Sequence, residues 1–204
     1  MSQVTIVGLG GSLAQHSTSL SALKVALEGA REYGAEVQLF DLRELNLPMF
    51  VPGAEPVPTA ARRLCDAVHA AHGMLWSSPL YHGTVSGAFK NAIDWFQLLS
   101  DRTPPYLTDK VVGLISTAGG THGLQAVNTM EFAVRALRGW AVPLVLPIPQ
   151  AWQVFKEGHV LDKRVEEQLR ALGHELARAA QLFAAGTITT AEAGAVEAQV
   201  EPLR

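Results

Sequence analysis

Charge is scarce in this sequence, and cysteine is almost absent. Lysine, arginine, aspartate and glutamate make up 17% of the 204 residues, and the formal net charge is −3. A balance so close to neutral argues against a nucleic-acid binder and against a polybasic membrane ligand. The single cysteine, Cys65, excludes an internal disulfide, and we predict a small buried residue there rather than a reactive thiol. No cysteine or carboxylate stands at metal-ligand spacing from His69, His72, His159 or His174, and no metal site is predicted.

Membrane segments and export signals are also missing. No apolar run reaches the ~18 residues of a membrane-spanning helix, and no basic stretch followed by an apolar core opens the chain. We therefore expect a cytoplasmic protein that contacts no membrane. Hydrophobic residues nevertheless reach 48%. So much apolar character beside so little charge favours a homo-oligomer, a homodimer or homotetramer, in which another subunit covers part of the surface.

Strand and helix patterns alternate five times along the chain. Most of the predicted strands are continuous apolar runs, which are typical of a parallel sheet covered by helices on both faces. We predict one α/β domain over residues 1–185, a proline-rich irregular excursion over 42–58 and a mobile tail over 186–204. The strands are expected at 3–8, 36–41, 73–78, 110–116 and 141–146. The helices are expected at 18–33, 59–71, 86–99, 123–138 and 161–185.

Glycines and hydroxyl residues follow the first predicted strand, over residues 8–19. The glycines allow backbone N–H groups to turn toward a ligand, the hydroxyls donate hydrogen bonds, and the following helix N-terminus adds partial positive charge. No lysine ends this segment, so it is not the phosphate loop of nucleoside triphosphatases. A hydroxyl-lined pocket with little formal charge favours one phosphate monoester.

Two other interpretations of the first loop stay open. Gly8 and Gly10 match the start of a dinucleotide-binding fingerprint, and Asp41 ends the second strand, where a ribose-binding acid would stand. The third glycine of that fingerprint is replaced by Leu13. A turn with no ligand is the other alternative.

Two further loops have the composition of a binding site. Residues 77–87 contain Pro79, Tyr81 and four further hydroxyl residues, and residues 116–123 contain three glycines. Ligands of open parallel sheets lie beyond the carboxyl ends of the strands, where these loops and the first one start. Glycine allows the backbone to approach a flat ligand closely. A planar ring system with one terminal phosphate fits the three loops, and flavin mononucleotide (FMN) is the commonest such cofactor.

Three motifs occur in order over residues 5–123. The first is Gly-Ser-Leu-Ala-Gln-His-Ser-Thr-Ser at 11–19. The second is Pro-Leu-Tyr at 79–81 with Gly-Ala-Phe-Lys-Asn-Ala-Ile-Asp at 87–94. The third is Ser-Thr-Ala-Gly-Gly at 116–120. In these motifs the sequence resembles the NADPH-dependent FMN reductase family.

The resemblance implies a flavodoxin-like fold, a three-layer sandwich whose five parallel strands have the order 2-1-3-4-5. It implies FMN as cofactor, NADPH or NADH as hydride donor, and free flavin, a quinone or a similar small molecule as acceptor. Because the flavin carries the chemistry, no catalytic side chain is predicted. The predicted cofactor-binding residues are Gly11, Ser12, Gln15, Ser17, Thr18, Ser19, Pro79, Leu80, Tyr81, His82, Gly83, Ser116, Gly119 and Gly120.

The sequence departs from the family at one position of the phosphate loop. Members usually carry an arginine where this chain has Ala14, and Gln15 and His16 follow. A phosphate monoester carries about −1.5 to −2 charge near pH 7. Losing one charge-assisted hydrogen bond to it weakens binding about ten-fold or more, and a protonated His16 would replace part of that interaction.

Several residues near the motifs have both a functional and a structural interpretation. Lys90 and Asp94 are spaced to pair on a helix surface, and Asn91 is expected to tie loop backbone together. Core packing is expected to explain some of the apolar residues at 95–99, and a homodimer seam the rest; these residues are Trp95, Phe96, Leu98 and Leu99. His122 is either near the nicotinamide or at a helix start, and Trp152 is a candidate to cover a flavin of a neighbouring subunit. A preference for NADPH would need a basic group, for which Arg43, Arg102 and Lys110 are candidates.

Two alternative functions remain at this point. A flavodoxin-like electron carrier would bind FMN without oxidising NAD(P)H itself, but such carriers are usually smaller and more acidic than this chain. The second alternative is a flavin-free binding or regulatory protein with the same fold. The absence of the family's arginine at Ala14 favours this alternative.

Overall fold

A computed structural model describes residues 3–53 and 55–186. The elements in chain order are β1 (Thr5–Gly10), α1 (Thr18–Glu32), β2 (Glu36–Asp41), α2 (Leu42–Leu45), α3 (Thr59–Ala70), β3 (Gly73–Tyr81), β4 (Thr84–Val85), α4 (Gly87–Asp94), a 3₁₀ helix (Trp95–Leu99), β5 (Val111–Thr117), α5 (Leu124–Ala136), β6 (Trp140–Ile148), α6 (Ala151–Val154), β7 (Phe155–Lys156), β8 (His159–Val160) and α7 (Lys163–Gly186). The predicted mobile tail lies outside the described residues, apart from Gly186. None of the helices in the described part of the chain has the length and apolar character needed to cross a bilayer.

Five parallel strands form the main sheet in the order β2-β1-β3-β5-β6. Counting only these five, the order is 2-1-3-4-5, so the predicted flavodoxin-like topology is confirmed. The short β4 pairs antiparallel with the end of β3. Each long crossover between parallel strands contains a helix, as parallel pairing requires. The carboxyl ends of β1, β3 and β5 therefore meet at the same edge of the sheet.

The sheet has a separate apolar core on each face. On one face, α1 and α7 pack against side chains such as Ile6, Leu75 and Ile115. On the other face, α3, α4 and α5 pack against Val7, Trp76 and neighbouring side chains. Both faces of the central strand β3 are buried, which explains why its apolar residues Met74, Leu75 and Trp76 are consecutive rather than alternating.

The short elements were not predicted. Within the excursion at 42–58, α2 forms one turn, with the Asp41 side chain accepting a hydrogen bond from the backbone N–H of Arg43. The hairpin of β7 and β8 precedes α7, which begins at Lys163 rather than at 161. The side chain of Asp162 accepts hydrogen bonds from the N–H groups of Arg164 and Val165 there and caps the helix. The helix expected at 86–99 changes to 3₁₀ geometry at Trp95.

Core packing accounts for three of the four apolar residues at 95–99 that were divided between the core and a homodimer seam. Trp95, Phe96 and Leu99 are buried within the chain, and Leu98 is half-buried. Phe96 packs near Trp76 of β3, with ring centroids 6.3 Å apart. The 3₁₀ turn rotates these side chains into the core, so they have no free face for a second subunit.

Candidate functional site

The first loop passes directly over the end of β3. The backbone N–H of Gly11 donates to the Ser77 carbonyl oxygen at 3.1 Å. A Cβ on Gly10 would stand only 2.3 Å from that oxygen, so no larger residue fits there. Gly11 itself has φ of +95°, a conformation that favours glycine. These two glycines bring the loop into contact with the neighbouring strand.

Ser17 caps the N-terminus of α1. Its Oγ accepts a hydrogen bond from the Leu20 N–H at 3.2 Å and lies 3.0 Å from the Ser19 Oγ. The Ser77 hydroxyl donates to the Ser19 carbonyl oxygen at 2.8 Å. The first amides of a helix have no intrahelical acceptor, so this end of α1 presents N–H donors beside a cluster of hydroxyls.

A second contact joins the first loop to the third. The Thr18 Oγ1 donates to the Thr117 Oγ1 at 3.1 Å, although the two residues are 99 positions apart in sequence. Thr117 is the last residue of β5. The first and third loops therefore form one continuous wall.

An open cavity of about 200 Å³ lies at this edge of the sheet. Eight of the predicted site residues line it: Ser12, Ser17, Thr18, Ser19, Pro79, Leu80, Tyr81 and Gly119. Six further residues line it without having been predicted as ligands: Ala14, His16, Thr117, Ala118, Ala151 and Trp152. The three loops thus converge as the strand order requires.

Six predicted site residues are not in the cavity lining: Gly11, Gln15, His82, Gly83, Ser116 and Gly120. His82 and Gly83 have φ of +49° and +86° and form the two-residue turn that joins β3 to β4. Ser116 is fully buried within β5, and its Oγ has no hydrogen-bond partner among the described residues. The carbonyl oxygen of Gly120 accepts from the Gln150 N–H. Gln15 is exposed, and cofactor binding by these six residues stays a prediction.

Trp152 enters the cavity wall from the segment that follows β6. The N–H groups of Gln150 and Ala151 donate to the carbonyl oxygens of Gly120 and Ala118 at 3.1 and 2.9 Å. These bonds hold α6 against the third loop, and the Trp152 side chain stays 67% exposed at the cavity. Because β6 is parallel to β5, its carboxyl end reaches the same edge, and that relationship was the available signal. Trp152 lines the cavity of its own chain, whereas it had been considered as a cover for the flavin of a neighbouring subunit.

The second motif has a structural role, as predicted for Asn91. Its Oδ1 accepts from the Phe50 N–H at 2.8 Å, and its Nδ2 donates to the Pro48 carbonyl oxygen at 3.0 Å. The Trp95 indole N–H donates to the same oxygen at 3.0 Å. Lys90 and Asp94 form the expected surface pair, with 2.5 Å between Nζ and Oδ1. This motif holds the 46–52 segment in place.

The cavity is poor in charge. No lysine or arginine lies among its described lining residues, and His16 and Tyr81 are the two titratable side chains there. The basic candidates for NADPH selection lie outside the lining. Lys110 precedes β5 at the opposite edge of the sheet, where its buried Nζ donates to the carbonyl oxygens of His69 and Ala71, and burial lowers its pKa. Arg102 pairs with Asp66.

The prediction of a small buried residue at Cys65 is confirmed. Cys65 is buried as expected, and burial raises the pKa of its thiol to about 12. A thiol with so high a pKa has almost no reactive thiolate near neutral pH. Over residues 3–53 and 55–186, no three histidine, cysteine or carboxylate side chains are grouped to hold a metal ion.

Known proteins resemble this chain in sequence and in fold. The NADPH-dependent FMN reductase ArsH of Acidithiobacillus ferrooxidans is 33% identical over 128 residues, which are 63% of this chain and 52% of that protein. The ArsH of Rhizobium meliloti is 31% identical over 150 residues, 74% of this chain and 61% of that protein. The FMN-dependent NADPH-azoreductase of Staphylococcus aureus is 28% identical over 138 residues, 65% of this chain and 70% of that protein. The chain thus spans little more than half the length of the ArsH relatives.

Among solved structures, the NAD(P)H:(acceptor) oxidoreductase FerB of Paracoccus denitrificans matches with a TM-score of 0.71 at 20% identity, over 88% of this chain and 98% of FerB. The NADH:FMN oxidoreductase EMOB matches with a TM-score of 0.63 at 16% identity, over 93% of this chain and 94% of EMOB. At such identities these likenesses concern the fold. A family description named NADPH-dependent FMN reductase matches residues 4–153, which include all three binding loops. The chain therefore belongs to the NADPH-dependent FMN reductase family.

Proposed function

We propose that this protein is an FMN-dependent NAD(P)H oxidoreductase. It would take hydride from NADPH or NADH and pass it to free flavin, a quinone or a similar acceptor. The observation that carries the proposal is the cavity itself, with the hydroxyl cluster and helix N-terminus of the first loop at one side and the ends of β3 and β5 at the other. Family membership and the names of the reductase relatives support the same activity.

The residues at the cavity fit FMN. Ser12, Ser17 and Ser19 are buried hydroxyl residues around the N-terminus of α1, and a phosphate monoester is bound by such donors. A Cβ on Gly119 would meet no protein atom within 4 Å, so the third loop leaves open space where a ring system can lie. Tyr81 and Trp152, at 49% and 67% exposure, add aromatic surface to the cavity.

The protein contributes binding and orientation. When bound, FMN supplies the capacity to accept a hydride and to release its electrons to a second substrate. The hydroxyls of Ser17 and Ser19 are already oriented by hydrogen bonds to each other and to the Leu20 N–H, so phosphate binding needs little reordering. The backbone of residues 79–81 and 117–119 would flank the ring, and the Gly119 N–H would be offered to its polar edge. The proposed hydride transfer requires no acid–base pair of side chains.

The proposal is tested by titrating the purified protein with FMN and following flavin fluorescence and the thermal midpoint. We expect saturable binding, a raised midpoint, and bleaching of bound flavin by NADPH alone in anaerobic stopped flow. Flavin that binds but stays oxidised until a separate reductase is added identifies an electron carrier. A midpoint and a flavin spectrum that do not respond to FMN leave the fold without this function.

We also propose that the protein is a homo-oligomer in the cytoplasm, acting on small molecules. The low charge fraction supports oligomerisation, and so do Leu124 and Phe132 of α5, whose side chains are 50% and 75% exposed. Leu124 and Phe132 thus replace the Trp95–Leu99 segment as candidate interface residues. Light scattering of the purified protein, with Phe132→Glu beside it, measures the association. A wild-type protein that stays monomeric at micromolar concentration contradicts this part.

A further inference from the structure

His16 is the one side chain in the cavity wall that is able to carry a positive charge. The other polar side-chain groups there are the hydroxyls of serine, threonine and tyrosine and the indole N–H of Trp152, and position 14 is an alanine. His16 is exposed, two residues before the first turn of α1. It thus belongs to the same loop as Ser12 and Ser17.

We infer that His16 is the charge-pairing residue for the ligand's phosphate, and that binding of a phosphate dianion is coupled to uptake of one proton by its imidazole. This inference rests on the proposed function. Imidazole changes its charge between about pH 5 and 8, whereas a phosphate monoester is mostly dianionic above about pH 7. On binding, one proton passes from solvent to His16, and the resulting imidazolium faces the phosphate. The site would then select FMN over the uncharged riboflavin in a pH-dependent manner.

The surrounding groups allow the expected pH dependence of FMN binding to be assigned to one residue. Tyr81 is the other titratable lining residue. Asp41, at the end of β2, lies behind Gly11 and accepts from the Arg43 N–H. His122 lies beside Gly120 of the third loop, outside the lining. A carboxylate keeps its charge between about pH 7 and 8.5. The His122→Ala variant below separates any contribution of His122 to the pH dependence of FMN binding.

The experiment measures the dissociation constants of FMN and riboflavin by flavin fluorescence at about pH 7 and 8.5, with proton uptake from calorimetry in two buffers of different ionisation enthalpy. For His16→Ala we expect FMN binding about ten-fold weaker at pH 7 and riboflavin binding within two-fold of wild type. Wild-type affinity for FMN should fall toward pH 8.5. His16→Arg should retain tight FMN binding at both pH values and take up no proton. His159→Ala, a change of another exposed histidine outside the cavity, and His122→Ala should behave as wild type.

The outcomes separate the two proposals. FMN affinity that is the same in His16→Ala and wild type, or proton uptake that persists in His16→Arg, overturns the role of His16 and leaves the flavin site standing. Equal weakening of FMN and riboflavin in His16→Ala also overturns it, because the side chain would then act on the ring or on the loop. Wild-type protein that binds neither flavin overturns the proposed function together with this inference. Circular dichroism establishes that each variant is folded.

Discussion

Gly173 of α7 lies directly against the backbone of Ala26 in α1. A Cβ on Gly173 would stand 2.0 Å from the Ala26 carbonyl oxygen, and a Cβ on Gly29 would stand 2.3 Å from the carbonyl oxygen of Arg170. The two helices therefore cross backbone to backbone, with one glycine from each at the crossing. This contact anchors α1, whose N-terminus carries the hydroxyl cluster of the candidate site.

Gly173→Ala should destabilise the protein. The added methyl group has no space and must push the helices apart, at about 1–3 kcal/mol of unfolding free energy even after the intrinsic helix gain of alanine. Urea denaturation followed by circular dichroism measures the change. Gly186→Ala, in open space at the end of α7, is the control and should change stability by less than about 0.5 kcal/mol. A Gly173→Ala protein as stable as wild type would contradict the tight crossing.

Stability should fall on acidification partly because of His72. The Thr5 N–H donates to its Nδ1 at 3.1 Å, and burial, followed by the charge of Lys110, lowers the pKa of His72. The folded protein thus binds fewer protons than the unfolded chain, so this contribution is complete above the ordinary histidine pKa of 6.5 and is lost as pH falls below it. Unfolding free energies between about pH 8 and 5 should decline less steeply in His72→Asn, whose amide oxygen also accepts. An unchanged slope would exclude His72 as a contributor.

Lys110→Met should destabilise the fold and raise the pKa of His72. The buried Nζ donates to two carbonyl oxygens at the end of α3, at 2.8 Å to His69 and 2.5 Å to Ala71. Leaving them unpaired lowers the unfolding free energy by about 1–3 kcal/mol. The charge of Lys110 also lowers the pKa of both His69 and His72, so NMR titration should show both values higher in the variant. Lys156→Met, on the exposed hairpin, is the control and should move neither value.

Gly119→Val should block flavin without unfolding the protein. Its side chain would occupy space free of protein atoms, and the proposed ring site includes that space. We expect FMN and riboflavin to bind at least about ten-fold more weakly, with a thermal midpoint of the unliganded protein close to wild type. Gly186→Val, which introduces a valine away from the cavity, is the control and should leave flavin binding unchanged. Normal flavin binding by Gly119→Val would remove the third loop from the site.

Asn91→Ala should lower stability and leave flavin affinity unchanged. It removes the acceptor for the Phe50 N–H and the donor to Pro48, at about 1–3 kcal/mol, while Asn91 lies outside the cavity lining. Thermal denaturation and FMN titration of the same preparation separate the two effects. Weaker FMN binding at an unchanged midpoint would instead place Asn91 in the site.

The sequence predicted the long elements well because their patterns are local. β2 has the predicted bounds, and α1 differs by one residue. Two-residue strands such as β7 and β8 have no periodicity to detect. Burial of Phe96 depends on a 3₁₀ turn that rotates the side chain inward, and helical spacing alone does not show that rotation. The His82–Gly83 turn needed the pairing of β4 with β3, which a hydrophobic pattern does not indicate.

The candidate site was predicted where a loop followed a strand of suitable composition. Hydroxyls and glycines marked the three loops, and strand order placed them together. Trp152 was missed as a wall residue because its position depends on hydrogen bonds from Gln150 and Ala151 to a loop about 30 residues earlier. The motifs assigned Gly11 and Ser116 to the site. In the structure, the positive φ of Gly11 sets the path of the backbone, and Ser116 is buried.

The bonds from Gln150 and Ala151 to the third loop join the segments that carry Trp152 and Gly119 into one side of the cavity. The opposite side of the cavity, which carries Tyr81, ends in the two-residue hairpin turn of His82 and Gly83. The Thr84 hydroxyl beyond that turn donates to the Thr129 hydroxyl of α5 at 3.1 Å, so both flanks of the cavity are fastened to the rest of the fold.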